Sequence, residues 1–203
     1  MLIMKINQKF KLLIILMCTF LVLHSCQERL KEDTNTTIDH SVHELVNTIK
    51  TFTSYNYWAN SEYVKWLKEK DSSIFYDSIP SSFTTIKENI IHLWRAEIGW
   101  LQTLKGETWD VSKYEVEDKS IFQILDEFKN KSKELEQFIQ DSKPEDLVRD
   151  ISLSNGNPKF NEILIHVLNH ASYHRGQIVT IARNLGLTDP PRTDFIYFIN
   201  SIN

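Results

Sequence analysis

Ile163-Leu164-Ile165-His166-Val167-Leu168-Asn169-His170-Ala171-Ser172-Tyr173-His174-Arg175-Gly176-Gln177 is the stretch that decides the fold. Its apolar residues recur every three or four positions and continue through Ile178, Ile181 and Leu185, the spacing of one helix face rather than of a strand. At about 100° per residue, the inner stripe is Ile163, Val167, His170, His174, Ile178, Ile181 and Leu185. His174 falls at its centre, His170 about 40° to one side and His166 about 80° away, on the flank. Two imidazoles therefore replace apolar residues in a core-facing seam, where an unpaired polar group costs roughly 1–3 kcal/mol. A metal ion shared across one helical turn, or a specific hydrogen-bond partner, offsets that cost. Core histidines satisfied by ordinary hydrogen bonds are the plainer alternative.

The same period governs the rest of the chain. The segment is preceded by the turn Ser154-Asn155-Gly156-Asn157-Pro158 and closed by Gly186 and Pro190-Pro191. Upstream, from about Asp118, Ile121, Leu125, Phe128, Ser132, Leu135 and Ile139 alternate at four and three, the 3.5 period of bundle packing. Another helix is predicted after Pro80, with Ser81 or Ser82 as its cap, an apolar stripe of Phe83, Ile86, Ile90, Leu93, Leu101 and Leu104, and a stop at Gly106. A first helix is predicted from about Ile38, with Thr37 or Asp39 as cap, to Lys70, and its many aromatic residues read as packing. The stretch Asp194 to Ile202 reads as a short packing helix, and a short strand is predicted around Asp150 to Leu153. The predicted class is all-α, an antiparallel four-helix bundle over residues 38–203.

The first 25 residues hold Lys5, Lys9, Lys11 and no acid, followed by an apolar run from Leu12 to Leu23 broken only by Thr19. About 12 residues are too few to span a hydrocarbon core, and the pattern reads as a signal peptide over residues 1–25. Leu23-His24-Ser25-Cys26 resembles a bacterial lipobox, with His24 departing from the usual small residue, so Cys26 is the expected lipidation site. An uncleaved signal anchor is the alternative. Residues 26–37 are polar without period and read as a tether. The expected location is extracytoplasmic, anchored to a membrane of the cell envelope.

From residue 26 onward the chain carries 20 basic against 27 acidic residues, a net of −7, with no basic helix face, which argues against nucleic-acid binding. The only cysteines are Cys18 and Cys26, so the folded domain has no disulfide, thiolate nucleophile or cysteine zinc ligand. A metal site there must use His, Asp or Glu. His170 and His174 enclose Ala-Ser-Tyr, so the HExxH metalloprotease pattern is absent. Upstream, His92 shares a strip with Thr85, Asn89, Ala96, Gly99 and Thr103, either a solvated face or a close approach between helices. Glu97 falls on the apolar stripe and needs a partner there.

At Tyr55-Asn56-Tyr57-Trp58-Ala59-Asn60, His92-Leu93, Glu97, Trp100-Leu101, Leu164 to Ile178, Leu185-Gly186 and Pro190 to Phe195, the sequence resembles the DinB/YfiT-like family of four-helix bundle metalloproteins. The most specific part of the match is Asn169-His170-Ala171-Ser172-Tyr173-His174-Arg175-Gly176-Gln177. The resemblance implies a divalent cation, zinc or nickel, held by His92, His170 and His174. It also implies metal-dependent chemistry of the hydrolase or thiol S-transferase type, with Tyr173, Arg175 and Glu97 as supporting groups whose catalytic role is open. A non-catalytic, metal-stabilised binding or stress-associated module is the second expectation. The expected partners are a small-molecule substrate of unknown identity and the membrane, through the lipid anchor, with homodimerisation left open.

Overall fold

The computed structural model describes residues 8–202, with side chains from residue 40 onward and at a few earlier positions. Lys5 and the side chains of Cys18 and Cys26 lie outside the described residues. The helices are α1 (Gln8–Lys68), α2 (Ile86–Lys105), α3 (Ile121–Asp141), α4 (Phe160–Asn184) and α5 (Phe195–Ile202). Two compact units divide the chain, Met1–Leu45 and Val46–Asn203. In the first, the α1 backbone is helical through residues 26–37, where the sequence suggests a tether. Neither Gly nor Pro occurs before Pro80 to stop a helix, and His24 lies 3.6 Å from Glu28 one turn away. Among the described residues, no helix is long and apolar enough to cross a membrane.

In the second unit, α2 packs on α3 and on α4. The α3 seam (Ile121, Leu125, Phe128, Ser132, Leu135 and Ile139) is buried throughout, as its period predicts. Leu67 of α1, Ile86, Ile90 and Leu93 of α2, Leu125 and Phe128 of α3, and Ile178 and Ile181 of α4 meet in one core. The aromatic residues of α1 divide between two packing roles. Tyr63 and Trp66 enter that core, whereas Phe52, Tyr55 and Trp58 receive Phe195 and Phe198 of α5. The Tyr55 hydroxyl donates to the Thr193 carbonyl at 2.8 Å.

Helix α1 starts at Gln8 and not at Ile38 behind a cap at Thr37 or Asp39, and two further features differ from the sequence expectation. Helix α2 starts at Ile86, capped by Thr85 and not by Ser81 or Ser82. Thr85 Oγ1 accepts from the Glu88 N–H at 3.1 Å and Glu88 Oε2 accepts from the Thr85 N–H, the reciprocal box of a Thr-x-x-Glu start. Phe83 therefore sits outside the helix, half-buried, and is not part of its apolar stripe. The predicted strand around Asp150 to Leu153 is only a tight turn with isolated bridges, Asp150 to Lys159 and Leu153 to Gly156. Helix α4 ends as predicted, because Gly186 at φ 92° lets its own N–H reach Arg183 and that of Leu187 reach Ala182.

The strip around His92 is a close approach between segments. Gly99 is buried beneath the Trp109 indole, and a Cβ at that position would lie 2.1 Å from the ring. Only glycine leaves room for the indole there.

Candidate metal centre

Helix α2 supplies His92 and helix α4 supplies His170 and His174, one turn apart on the face that the sequence predicts. His170 Nε2 lies 3.0 Å from His92 Nε2 and 3.1 Å from His174 Nε2. One candidate donor atom from each ring lies within 4.8 Å of the other two. Nitrogens bound to one tetrahedral zinc at about 2.05 Å would sit about 3.3 Å apart. Two of the three nitrogen pairs thus already stand near the separation that a shared cation requires, and the third lies within 4.8 Å. Hydrogen bonding among themselves does not satisfy them, since a neutral imidazole has one N–H and His170 Nε2 faces two other nitrogens.

The surroundings keep the rings neutral. Burial, then the charges of His174, His92 and His166, lower the pKa of His170 to about 4. Burial lowers His92 as well. It also lowers His174, helped by the charge of His92, while Gln177 is near enough to work in the opposite direction. His174 Nδ1 is buried without an acceptor in full hydrogen-bond geometry. The donor set fits a borderline cation such as zinc or nickel, because three neutral imidazole lone pairs converge and none has to lose a proton at pH 7.

A pH dependence follows. In the unfolded chain these rings protonate near pH 6.5, whereas the folded rings resist protonation to lower pH, so the unfolded state binds more protons as pH falls. Their contribution to stability is complete above pH 6.5 and is lost toward pH 4. Thermal melts of the metal-free protein are expected to show a steady fall in Tm from pH 7 to pH 4.5, and a flat profile would contradict this.

Aromatic rings wall the centre. Phe83 stacks on His92 with centroids 4.6 Å apart and meets His174 edge-on at 5.4 Å. The edge contact of Tyr173 with His174 is at 5.1 Å, and its ring is largely exposed. His166 is exposed on the flank, as its helical angle predicts, 5.8 Å from His170 and 5.1 Å from Trp100. Beyond Trp100 opens a groove of about 810 Å³ lined by Trp109, Arg149 and the turn at residues 150–155.

The other two supporting residues expected from the sequence lie elsewhere. Glu97 and Arg175 are buried and bond to each other's neighbours, not to the histidines. Glu97 Oε1 accepts from Asn56 Nδ2 at 2.8 Å and Asn60 Nδ2 at 2.9 Å, and its Oε2 accepts from the Ser132 hydroxyl. Arg175 Nη1 donates to Asn56 Oδ1 and Asn60 Oδ1, both at 2.8 Å, and Nη2 donates to Ser172 Oγ at 3.0 Å. Burial pushes the Glu97 carboxyl up, opposed by Ser132, Asn56, Arg175 and Asn60. Every contact to Glu97 is a donor, the arrangement of an ionised carboxylate.

The sequence profile of the DinB family matches residues 41–201. Protein DinB of Bacillus subtilis (strain 168) is 30% identical over 153 residues, which span 70% of this chain and 87% of that protein. The fold is similar to the crystal structure of a DinB-like protein from Bacillus subtilis, with a TM-score of 0.53 and 14% identity over 74% of this chain and 98% of that one. With the profile covering nearly all of the helical domain and the relative matching most of both chains, this chain belongs to the DinB family.

Proposed function

We propose that this protein is a metal-dependent enzyme of the hydrolase or thiol S-transferase type, with His92, His170 and His174 holding a zinc or nickel ion. The observation that carries the reading is the meeting of three imidazole nitrogens, two of them 3.0 and 3.1 Å from the third, on a buried His174 and half-buried His92 and His170. Three protein ligands leave a coordination position for a small molecule, the pattern of catalytic rather than structural sites. When bound, the ion supplies Lewis acidity, lowering the pKa of a coordinated water or thiol. Phe83 and Tyr173 exclude water from part of the ring surface and restrict the directions of approach. We further propose that the chain is exported and held at a membrane through a lipid on Cys26, as the basic start, apolar run and Leu23-His24-Ser25-Cys26 suggest.

Calorimetric titration of the purified chain with Zn²⁺ or Ni²⁺ at pH 7 is expected to saturate near one equivalent. The loaded protein should then hydrolyse 4-nitrophenyl acetate or transfer cysteine to 1-chloro-2,4-dinitrobenzene, with loss of turnover on chelation. Saturation without turnover in either assay favours the non-catalytic module. No saturation overturns both readings.

A further inference from the structure

The Glu97–Arg175 cluster draws on every helix of the bundle. Asn56 and Asn60, one turn apart on α1, give their amide N–H groups to Glu97 of α2 and their carbonyls to Arg175 of α4. Ser132 of α3 donates to Glu97 and accepts from Asn60 at 2.9 Å. Exposure is 2% for Glu97, 3% for Arg175, 1% for Asn56 and Ser132, and 0% for Asn60, so water does not substitute for any partner. A half-satisfied cluster of this kind is costly, which leaves the helices few alternative registers.

Two of its members lie beside metal-ligand positions. Arg175 follows His174 directly, and Glu97 is five residues from His92 on the same helix. A slip of either helix by one residue would turn a ligand by about 100° and carry it about 1.5 Å along the axis. An apolar layer tolerates such slippage better than this cluster, whose amides and charges each have one matching arrangement.

We propose that Glu97, Arg175, Asn56 and Asn60 are positioning residues of the histidine centre, fixing α2 against α4 so that His92 meets His170 and His174. The affinity of the centre is then set partly by groups that do not touch the ion. This rests on the metal reading above for its affinity arm, but its geometric arm stands without metal.

The test compares the wild-type chain with a variant whose cluster is apolar: Asn56→Leu, Asn60→Leu, Glu97→Leu, Arg175→Met and Ser132→Ala. Two quantities are measured, the nuclear Overhauser contacts between the His92 and His170 rings in metal-free protein and the affinity for Zn²⁺ by competition with a chelating dye. With helicity and a cooperative melt retained, the ring contacts should weaken and the affinity should fall by about 10-fold or more, the scale seen when groups supporting metal ligands are lost. Arg175→Lys, which keeps the charge opposite Glu97 but not the fork, provides the same readouts if the apolar variant does not fold. Ring contacts unchanged in a folded variant overturn the proposal, whether or not the wild type binds Zn²⁺. Absence of Zn²⁺ binding by the wild type overturns the metal reading alone.

Discussion

Replacing His170 by alanine is expected to lower Zn²⁺ affinity at pH 7 by at least about 100-fold. Of the three rings, His170 has the nitrogen that faces both of the others, at 3.0 and 3.1 Å, so its removal leaves His92 and His174 without the ring between them. Apparent zinc binding energies of about 10–16 kcal/mol for four-ligand sites put one ligand at roughly 3 kcal/mol, or about 100-fold. His166→Ala is the matched control, since that ring is exposed and 5.8 Å from His170 between centroids, and its affinity should stay within about threefold. Equal binding by wild type and His170→Ala would place the ion elsewhere. Without metal, His170→Ala should also flatten part of the acid side of the stability profile, because the ring held down to a pKa of about 4 is gone.

Arg175→Leu is expected to destabilise the fold by about 3–5 kcal/mol, the usual cost of leaving one member of a buried ion pair alone. Glu97 would keep its donors but lose the guanidinium, while the Asn56 and Asn60 carbonyls would lose their shared donor. For a domain of this size, the midpoint should fall by about 10 °C. Adding Glu97→Leu should restore part of the loss, since it removes the unpaired charge while leaving the buried Asn56 and Asn60 amides without their acceptor. Thermal melts of the two single variants and the double variant, analysed as a cycle, check this. Additive losses would show that the two charges do not sense each other through the asparagines.

Much of the centre can be read from the sequence because helical geometry is local. The angle between His170 and His174 depends only on their spacing, and His174 is buried as its place on the stripe predicts while His170, to its side, is half-buried. Glu97 shows in the same way that it needs a partner, but the partners Asn56, Asn60 and Ser132 lie 41, 37 and 35 residues away and belong to other helices. His92 is ambiguous on its own wheel because two different segments cover its strip: α4 meets it at Asn89 and His92, and the loop residue Trp109 sits on Gly99. No periodicity within α2 reports such contacts. Phe83 departs from its predicted place for a different reason. The Thr85 to Glu88 capping box marks where α2 begins, and starting the helix at Ser81 or Ser82 draws Phe83 into the core stripe and away from the histidines it covers.

The two asparagines of α1 have a consequence for sequence drift. Each amide is a two-ended adaptor, nitrogen to the carboxylate and oxygen to the guanidinium, so neither leucine nor aspartate can replace it without stranding a charge. Changes at positions 56, 60, 97 and 175 are therefore coupled. A single replacement among them is expected to cost more stability than a matched change of the whole set, so the four positions are exchanged together more easily than one at a time.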